Sequence, residues 1–581
     1  MRGNHKLNLL PSFGRKADPT QPLTRIGSGE LGGKASGLSL VQQEVLSGLD
    51  MEGLDGLSVD VPRATILTTD LFESFCKRNK LTPTDFADMS DDRIAHTFQR
   101  ADLPSEWVGD LRALSKASRE PLAVRSSSLL EDALDHPFAG VYGTKMIPNS
   151  HPDPDRRFRA LVEAIKFVYA TTFFRGAQDL LRAKQLAPDS EKMAVLVQEV
   201  VGQRCGDRFY PTLSGVARSF NHYPTGHGKP EDGVVNLALG LGCTIVDGGL
   251  SWTYCPAYPK APPPFNGLGD MLDKTQTRFW SVHMGKPPVP DPIHETEHLV
   301  EAGLLEAEAD GWLAHLVSTY DAGSDRLWPG LAPQGARVLD FSPLLQLRIL
   351  KLNDLIRRLL DRSAEVLGSA VEMEFAVNLS RKKPAPARFG FLQVRPMRVF
   401  EASVEVATEQ LTGPDVLLAS EQVLGHGARD DIFDVVYLKP GVFDPAKTRL
   451  MAGEIDELNR SLLAQGRPYL LVGFGRWGSS DPWLGVPVLW SQIGGAAVIV
   501  EASLPKMNPD PSQGSHFFHN LIGFQVCYLT VPHMGRHRID FDWLDAQPAE
   551  KETEHARHVR LDRPLSVRVD AGRRRGVVSR S

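Results

Sequence analysis

Three stretches of this sequence place side chains suited to phosphate or a divalent cation close together. The first is Gly27-Ser28-Gly29-Glu30-Leu31-Gly32-Gly33-Lys34-Ala35. A glycine-rich turn lets backbone N–H groups crowd around an anion, and Lys34 adds a mobile positive charge. It is not a Walker A loop, which needs a glycine where Ser28 stands and a Ser or Thr where Ala35 stands. The second stretch is Val124-Arg125-Ser126-Ser127-Ser128, followed by Glu131-Asp132. A guanidinium fork beside three hydroxyls fits phosphate oxygens. A capped turn whose serines serve backbone amides is the other reading. The third is Glu372-Met373-Glu374 with Gln393-Val394-Arg395-Pro396. Residues two apart on a strand face one side, so both carboxylates can converge on one cation. One or two carboxylates plus substrate phosphates is the usual magnesium arrangement, and Arg395 and Gln393 on a neighbouring strand would hold the phosphates. An exposed strand face paired by charge is the alternative.

Two further segments lie towards the C-terminus. Gly473-Phe474-Gly475-Arg476-Trp477-Gly478-Ser479-Ser480-Asp481-Pro482-Trp483 is a glycine-rich loop whose Arg476 could cradle an anion, or a turn packed around Trp477 and Trp483. In Ser515-His516-Phe517-Phe518-His519, Ser515 would cap a helix starting at His516. The imidazole would then sit at the positive end of the helix dipole, where a phosphohistidine is stabilised. A partly buried structural histidine is the other reading, and His519, one turn on, is a competitor for the role. His294-Glu295-Thr296-Glu297-His298 matches the zinc-hydrolase pattern, with Glu295 as the base that activates a metal-bound water. It follows a proline-rich run, which puts His294 at a helix start rather than within a helix.

The chain has 581 residues, enough for roughly two to four domains. Hydrophobic residues at 42% and charged residues at 23% fit a soluble globular protein, expected to be cytoplasmic. A net charge of -6 argues against nucleic acid as a partner. No run approaches the ~18 apolar residues that a membrane span needs. Five scattered cysteines with no CxxC pair suit a reducing compartment and give no thiolate metal site. Periodicity predicts a glycine-rich loop running into a helix over 22–45, helices over 155–187, strands over 193–201 and 234–242, and helices over 297–317 and 344–368. The proline-rich stretch 256–295 reads as loop or insertion. Val371–Val377 and Phe389–Met397 read as an antiparallel pair. A composition break near 400–412 precedes a separate α/β unit over 413–545, and the segment 546–581 reads as a charged, polar and poorly ordered tail. Residues 1–21 form an N-terminal extension.

Taken in order, Gly32-Gly33-Lys34, Ala123–Ser128, Phe138-Ala139-Gly140, Met193–Gln198, Ser214-Gly215-Val216-Ala217, Gly240-Leu241-Gly242, Glu372-Met373-Glu374 and Gln393–Pro396 form a specific set. That set resembles the nucleotide-binding domain of pyruvate phosphate dikinases and phosphoenolpyruvate synthases, over residues 22–400. The resemblance implies an α/β (α+β) architecture with an ATP-grasp-like module whose two lobes close over ATP, ahead of the separate C-terminal unit. It implies that Lys34 and Arg125 hold the triphosphate and that Glu372 and Glu374 bind Mg2+, the first in place of the family's usual Asp. Gln393 and Arg395 would line the phosphate end, and Gln198 would sit near the hinge that holds adenine. Cys243 stands where the family commonly has a glutamate, and reads as a small packed residue rather than a nucleophile. The carrier-histidine motif of the family is missing, as is the length for a terminal barrel. His516, a histidine after a hydroxyl at a helix start, is the local analogue. The expected function is therefore an ATP- and Mg2+-dependent, dikinase-like phosphotransferase that is not a complete phosphoenolpyruvate synthase. Its expected catalytic residues are Arg125, Arg395 and His516. The expected partners are ATP and an unidentified small-molecule or protein acceptor, with no nucleic acid and no membrane, and with homo-oligomerisation open. The alternatives are an ATP-binding regulatory protein without turnover and a zinc hydrolase acting through His294 and His298.

Overall fold

The computed structural model describes the chain except residues 1–9, 15–20, 88, 132–139, 184–185, 188–189, 223, 225–226, 264, 266, 381–384, 398, 400–403, 480, 506, 510–516, 518–520, 522–524 and 581. Two sheets dominate the first four hundred residues. One has five strands, in the order Leu23–Ile26, Ala64–Leu67, Met193–Glu199, Leu122–Ser128, Thr144–Ile147. The other has six, in the order Trp252–Tyr254, Val234–Ala238, Leu213–Arg218, Ala370–Asn378, Ala387–Met397, Leu57–Asp60. The predicted antiparallel pair is present at the centre of the second sheet. Its polarity follows from the two-residue period of a strand: Val371, Met373, Phe375 and Val377 enter the larger apolar core, so Glu372 and Glu374 face the other way.

Helices follow from capping and spacing. Pro154–Thr171 starts after Asp153, whose carboxylate accepts from Asp155 N at 2.9 Å, and proline fills the first helical position. Its Leu161, Ala164, Ile165 and Val168 fall on one buried stripe against the five-stranded sheet. Helix Gly33–Leu40 packs on both the Leu122–Ser128 and Ala387–Met397 strands, and so lies between the two sheets. A Cβ added to Gly37 would stand 2.9 Å from the Val394 carbonyl, so only glycine allows this approach.

Two predicted regions differ. Residues 297–317 form strand Leu299–Gly303 and only short helical turns after it. The proline-rich stretch holds strand Arg278–His283, which pairs with Leu299–Gly303. The larger correction is the C-terminal segment. Ala549–Glu552, Ala556–Asp570 and Arg575–Ser579 are strands of a nine-stranded sheet, and Ala556–Asp570 pairs with Gly427–Leu438 on one side and Arg575–Ser579 on the other. Composition concealed this, because Arg560, Asp562 and Arg568 alternate with Val559, Leu561, Val567 and Val569. The charged positions face water while the apolar ones enter the core. The same sheet contains a parallel run, Gly427–Leu438, Tyr469–Phe474, Ala496–Ala502 and Cys527–Val531, whose first crossover is helix Thr448–Ala464. Met451, Ile455, Leu458 and Leu462 form the helix's buried stripe.

A tail without structure would tolerate substitution. Leu565→Ala is instead expected to cost about 2–5 kcal/mol, because Leu565 is fully buried in the sheet. Exposed Arg563→Ala should stay within about 0.5 kcal/mol of the parent. Chemical denaturation of both variants checks this, and equal stabilities would contradict the strand.

Candidate functional site

The glycine-rich loop is fixed against the Arg125 strand. Gly32 has φ 75°, and a Cβ there would come within 1.6 Å of the Ser127 carbonyl oxygen. The Ser127 hydroxyl donates to Leu31 O at 2.9 Å and accepts from Ala35 N at 3.1 Å, tying the loop to the start of the next helix. Lys34 is buried. Its Nζ donates to Ser126 Oγ at 3.2 Å and forms an ion pair with Glu131. Glu131 also accepts from Ser126 Oγ at 3.1 Å and from Ser128 N at 3.3 Å, while its own N–H donates to Ser128 Oγ at 3.1 Å. All three serines therefore serve the protein itself. Nearby, buried Glu191 accepts from Tyr142 Oη at 2.8 Å, and burial pushes its carboxyl up to about 7, with the Glu131 charge adding to the rise.

Arg125 joins the two sheets. Its fork donates to Gln393 Oε1 at 2.8 Å, Glu374 Oε2 at 3.3 Å, Leu392 O at 3.3 Å and Gln198 Oε1 at 3.4 Å. Gln198 pairs with Ala123 on the adjacent strand, which places it diagonally beside Arg125 on one face. Leu392 is the extra residue of a β-bulge: Glu374 pairs with Gln393 and Phe375 with Phe391, so the Leu392 carbonyl is spare for the arginine. The Nε2 of Gln198 is buried and donates to no described residue. A buried amide N–H without an acceptor is costly, and in native proteins it usually marks a place where something else binds.

The third group lies one residue pair along. Glu372 sits opposite Arg395 on one side and Arg218 on the other. Arg395 Nε donates to Glu372 Oε1 at 2.7 Å, and Arg218 Nε donates to Glu372 Oε2 at 2.6 Å. All three residues are buried. Arg218 then donates to Asn236 Oδ1 at 3.2 Å, and Asn236 to Thr253 Oγ1 at 2.7 Å. Arg218 is the main site residue that sequence reasoning passed over. The quoted run Ser214–Ala217 stopped one position short of it, although an arginine two residues from Val216 on an apolar strand was a signal.

The structure brings Lys34, Arg125, Gln198, Glu372, Glu374, Gln393 and Arg395 to the two facing sheets and the helix between them. Both carboxylates share a strand face, as their spacing predicted. Each is paired with arginine: Glu374 with Arg125, Glu372 with Arg395 and Arg218. His516 and His519 lie outside the described residues. Arg476 is buried and donates to Gly248 O at 2.9 Å, so the C-terminal loop grips the loop after Gly240-Leu241-Gly242. Burial pushes the Cys243 thiol well above its ordinary range, which suits a packed residue.

The zinc-hydrolase alternative does not survive. Glu295–His298 is a single 3₁₀ turn with His294 extended before it, so the two imidazoles do not share a helix face. Glu295 Oε1 accepts from Thr144 N at 2.9 Å, and the segment serves as a clamp: Lys145 Nζ donates to His294 O at 2.8 Å and pairs with Glu297 at 2.6 Å. Among the described residues, the one metal-like group is Asp434, Glu550 and His558, and there Arg467 already bridges the two carboxylates. No helix among the described residues is long and apolar enough to cross a membrane.

Comparison with known families matches residues 28–412 to the family described as pyruvate phosphate dikinase, AMP/ATP-binding domain. A comparison with curated proteins gave no match.

The Glu191 shift has a pH consequence. Its folded-state value of about 7 lies above the ordinary 4.5, so the folded chain holds a proton that the unfolded chain releases. The stabilisation is complete below the ordinary value and is lost as pH rises through about 7. Glu191→Gln, always neutral, should therefore gain stability over the parent between pH 5 and 8. Parallel melting curves across that range for parent and variant would contradict the buried, protonated carboxyl.

Proposed function

Because the chain belongs to the pyruvate phosphate dikinase AMP/ATP-binding domain family, an ATP-grasp-like nucleotide-binding fold, we propose that it is an ATP- and Mg2+-dependent phosphotransferase acting on an acceptor still to be identified. The observation that carries this reading is the Arg125 junction. A guanidinium bound across two sheets lies beside a buried glutamine whose Nε2 has no described acceptor. In this reading the adenine end of ATP supplies the missing acceptor for Gln198, and the triphosphate lies along Lys34, Arg125 and Arg395.

Each of these cations already holds a carboxylate, so nucleotide entry is an exchange of partners. Phosphate oxygens replace Glu131 at Lys34, Glu374 at Arg125 and Glu372 at Arg395. Guanidinium and ammonium groups fixed before substrate arrives can neutralise phosphate charge without reorganising during the reaction. Glu374 fits a hard cation: it is a carboxylate in the cleft, and its second oxygen makes no hydrogen bond with a described residue. Glu372 has the right donor atoms, and becomes available once Arg395 turns to a phosphate. When bound, Mg2+ would supply charge neutralisation on the phosphates. Loss of a carboxylate partner to the metal leaves Arg125 free for phosphate, so this chain's own residues make nucleotide and metal binding cooperative.

Arg125→Ala is expected to weaken ATP binding by about ten- to a hundredfold, the cost of losing charge-assisted hydrogen bonds. Calorimetric titration with ATP and Mg2+ measures it, and unchanged affinity sinks the assignment. Incubation with ATP labelled at the β and γ positions then decides turnover, and binding without any labelled product would leave a regulatory nucleotide module. The two carboxylates should behave differently. Glu374→Gln should raise the Mg2+ requirement at near-parental stability. Glu372→Gln should also destabilise the fold by about 3–5 kcal/mol, because it strands two buried guanidiniums. Parental melting in Glu372→Gln would mean that its charge is not needed there.

A further inference from the structure

A cavity of about 240 Å³ lies away from the cleft, between helices of the first lobe and helix Thr448–Ala464 of the C-terminal unit. Phe86 and Phe173 give it an apolar floor, while Arg175, Arg182 and Arg460 stand on its walls. The lining holds one carboxylate, Asp179, which pairs with Arg182. Burial holds this carboxyl above its ordinary range, while the charges of Arg182, Arg175 and Arg460 all act against that rise. The pocket lining itself carries more positive than negative charge. Arg182 pairs with Asp179 and Arg460 with Asp456, whereas the Arg175 guanidinium makes no ion pair with a described residue. Its backbone N–H donates to Asp91 Oδ1 at 2.8 Å. Three exposed guanidiniums around one lining carboxylate, over a small apolar floor, suit a compact anion.

The position gives that anion a consequence. The same helix, Arg175–Ala183, meets the C-terminal unit at a second point, where a Cβ on Gly176 would lie 3.0 Å from Ser491 Oγ. Trp490 packs against the apolar cores of both units. A ligand held jointly by Arg175 and Arg460 therefore touches both units at once.

We propose that this pocket is an effector site for a small phosphate-bearing anion, and that its occupation fastens the C-terminal unit to the first lobe of the nucleotide module. The volume suits phosphate or a short phosphate monoester rather than a nucleotide, since drug-sized ligands take roughly 300–1,000 Å³. The proposal does not depend on the phosphotransferase reading, because no residue of the cleft takes part.

Titration of the full chain with inorganic phosphate, at constant ionic strength set by chloride, tests it. Saturable binding is expected, and should weaken about tenfold in Arg175→Ala and in Arg460→Ala. Exposed Arg563→Ala, outside both the cleft and this pocket, should bind phosphate as the parent does. Asp179→Asn, which removes the competing carboxylate, should bind phosphate more tightly, a gain that misfolding cannot imitate. Phosphate should also raise the melting temperature of the parent and not that of Arg460→Ala. A glycerol phosphate arm separates the sources: tighter binding than inorganic phosphate assigns the floor to an organic ester, and equal binding assigns the site to phosphate alone. Absence of saturable binding overturns the proposal. So does binding abolished by Arg125→Ala, which would place the ion in the cleft, and so does parental affinity in both Arg175→Ala and Arg460→Ala.

Discussion

Charges taken out of water must find partners, and that constraint organises the space between the two sheets. Lys34, Glu131, Arg218, Glu372 and Arg395 are all buried, and Arg125 and Glu374 nearly so. An isolated buried charge costs several kcal/mol, so none of them could be there alone. The fold meets the constraint by pairing: Glu372 lies on the strand between those of Arg395 and Arg218, Glu131 meets Lys34, and Glu374 meets Arg125 across the two sheets. Buried ion pairs add little net stability over apolar packing. Residues suited to phosphate, held in pairs that a phosphate could replace, are more simply understood as a site kept ready for an anionic ligand than as a stabilising device.

Sequence displayed the parts of this arrangement whose geometry is local. Glu372 and Glu374 share a face because strands have a period of two, and they do so beside Arg395 and Gln393 on the expected partner strand. The parts that depend on strand order were hidden. Nothing in Leu213–Arg218 says that Arg218 will lie against Glu372, since those residues are 154 apart in the chain. The bulge that frees the Leu392 carbonyl has no signature in Phe389–Met397, which alternates plausibly in either register. Glu131 was visible beside the serines, but its pairing with Lys34 depends on where the glycine-rich loop settles. The HETEH segment shows the converse. Its pattern is legible, but a proline run before it and a 3₁₀ turn within it remove the α-helix that gives the pattern meaning. Over 546–581, charged composition outweighed an alternation that was present, and the alternation was the better guide.

The polar face continues beyond the proposed phosphate end. Arg395, Glu372, Arg218, Asn236 and Thr253 form consecutive contacts across five adjacent strands, ending at the edge strand Trp252–Tyr254. Every member beyond Arg395 has its orientation set by the one before it, because an unsatisfied polar atom at this depth is costly and a network relieves it only when each link is made. The ladder therefore behaves as a unit, and the register of Asn236 bears on how Glu372 stands.

That dependence reaches the C-terminal sheet through backbone carbonyls. The strand carrying Asn236, Val234–Ala238, is flanked by two loops, and an arginine from the C-terminal unit donates to each. Arg574 Nη1 reaches Pro224 O at 3.3 Å, and Arg476 Nη1 reaches Gly248 O at 2.9 Å. The C-terminal unit thus contacts the chain before and after the strand that sits beside Arg218. Hydrogen bonds run from the C-terminal unit to the loops around this strand, and from Asn236 through Arg218 and Glu372 to Arg395. Arg574 stands in the turn between strands Ala556–Asp570 and Arg575–Ser579, so its contact with Pro224 depends on the pairing of these last strands.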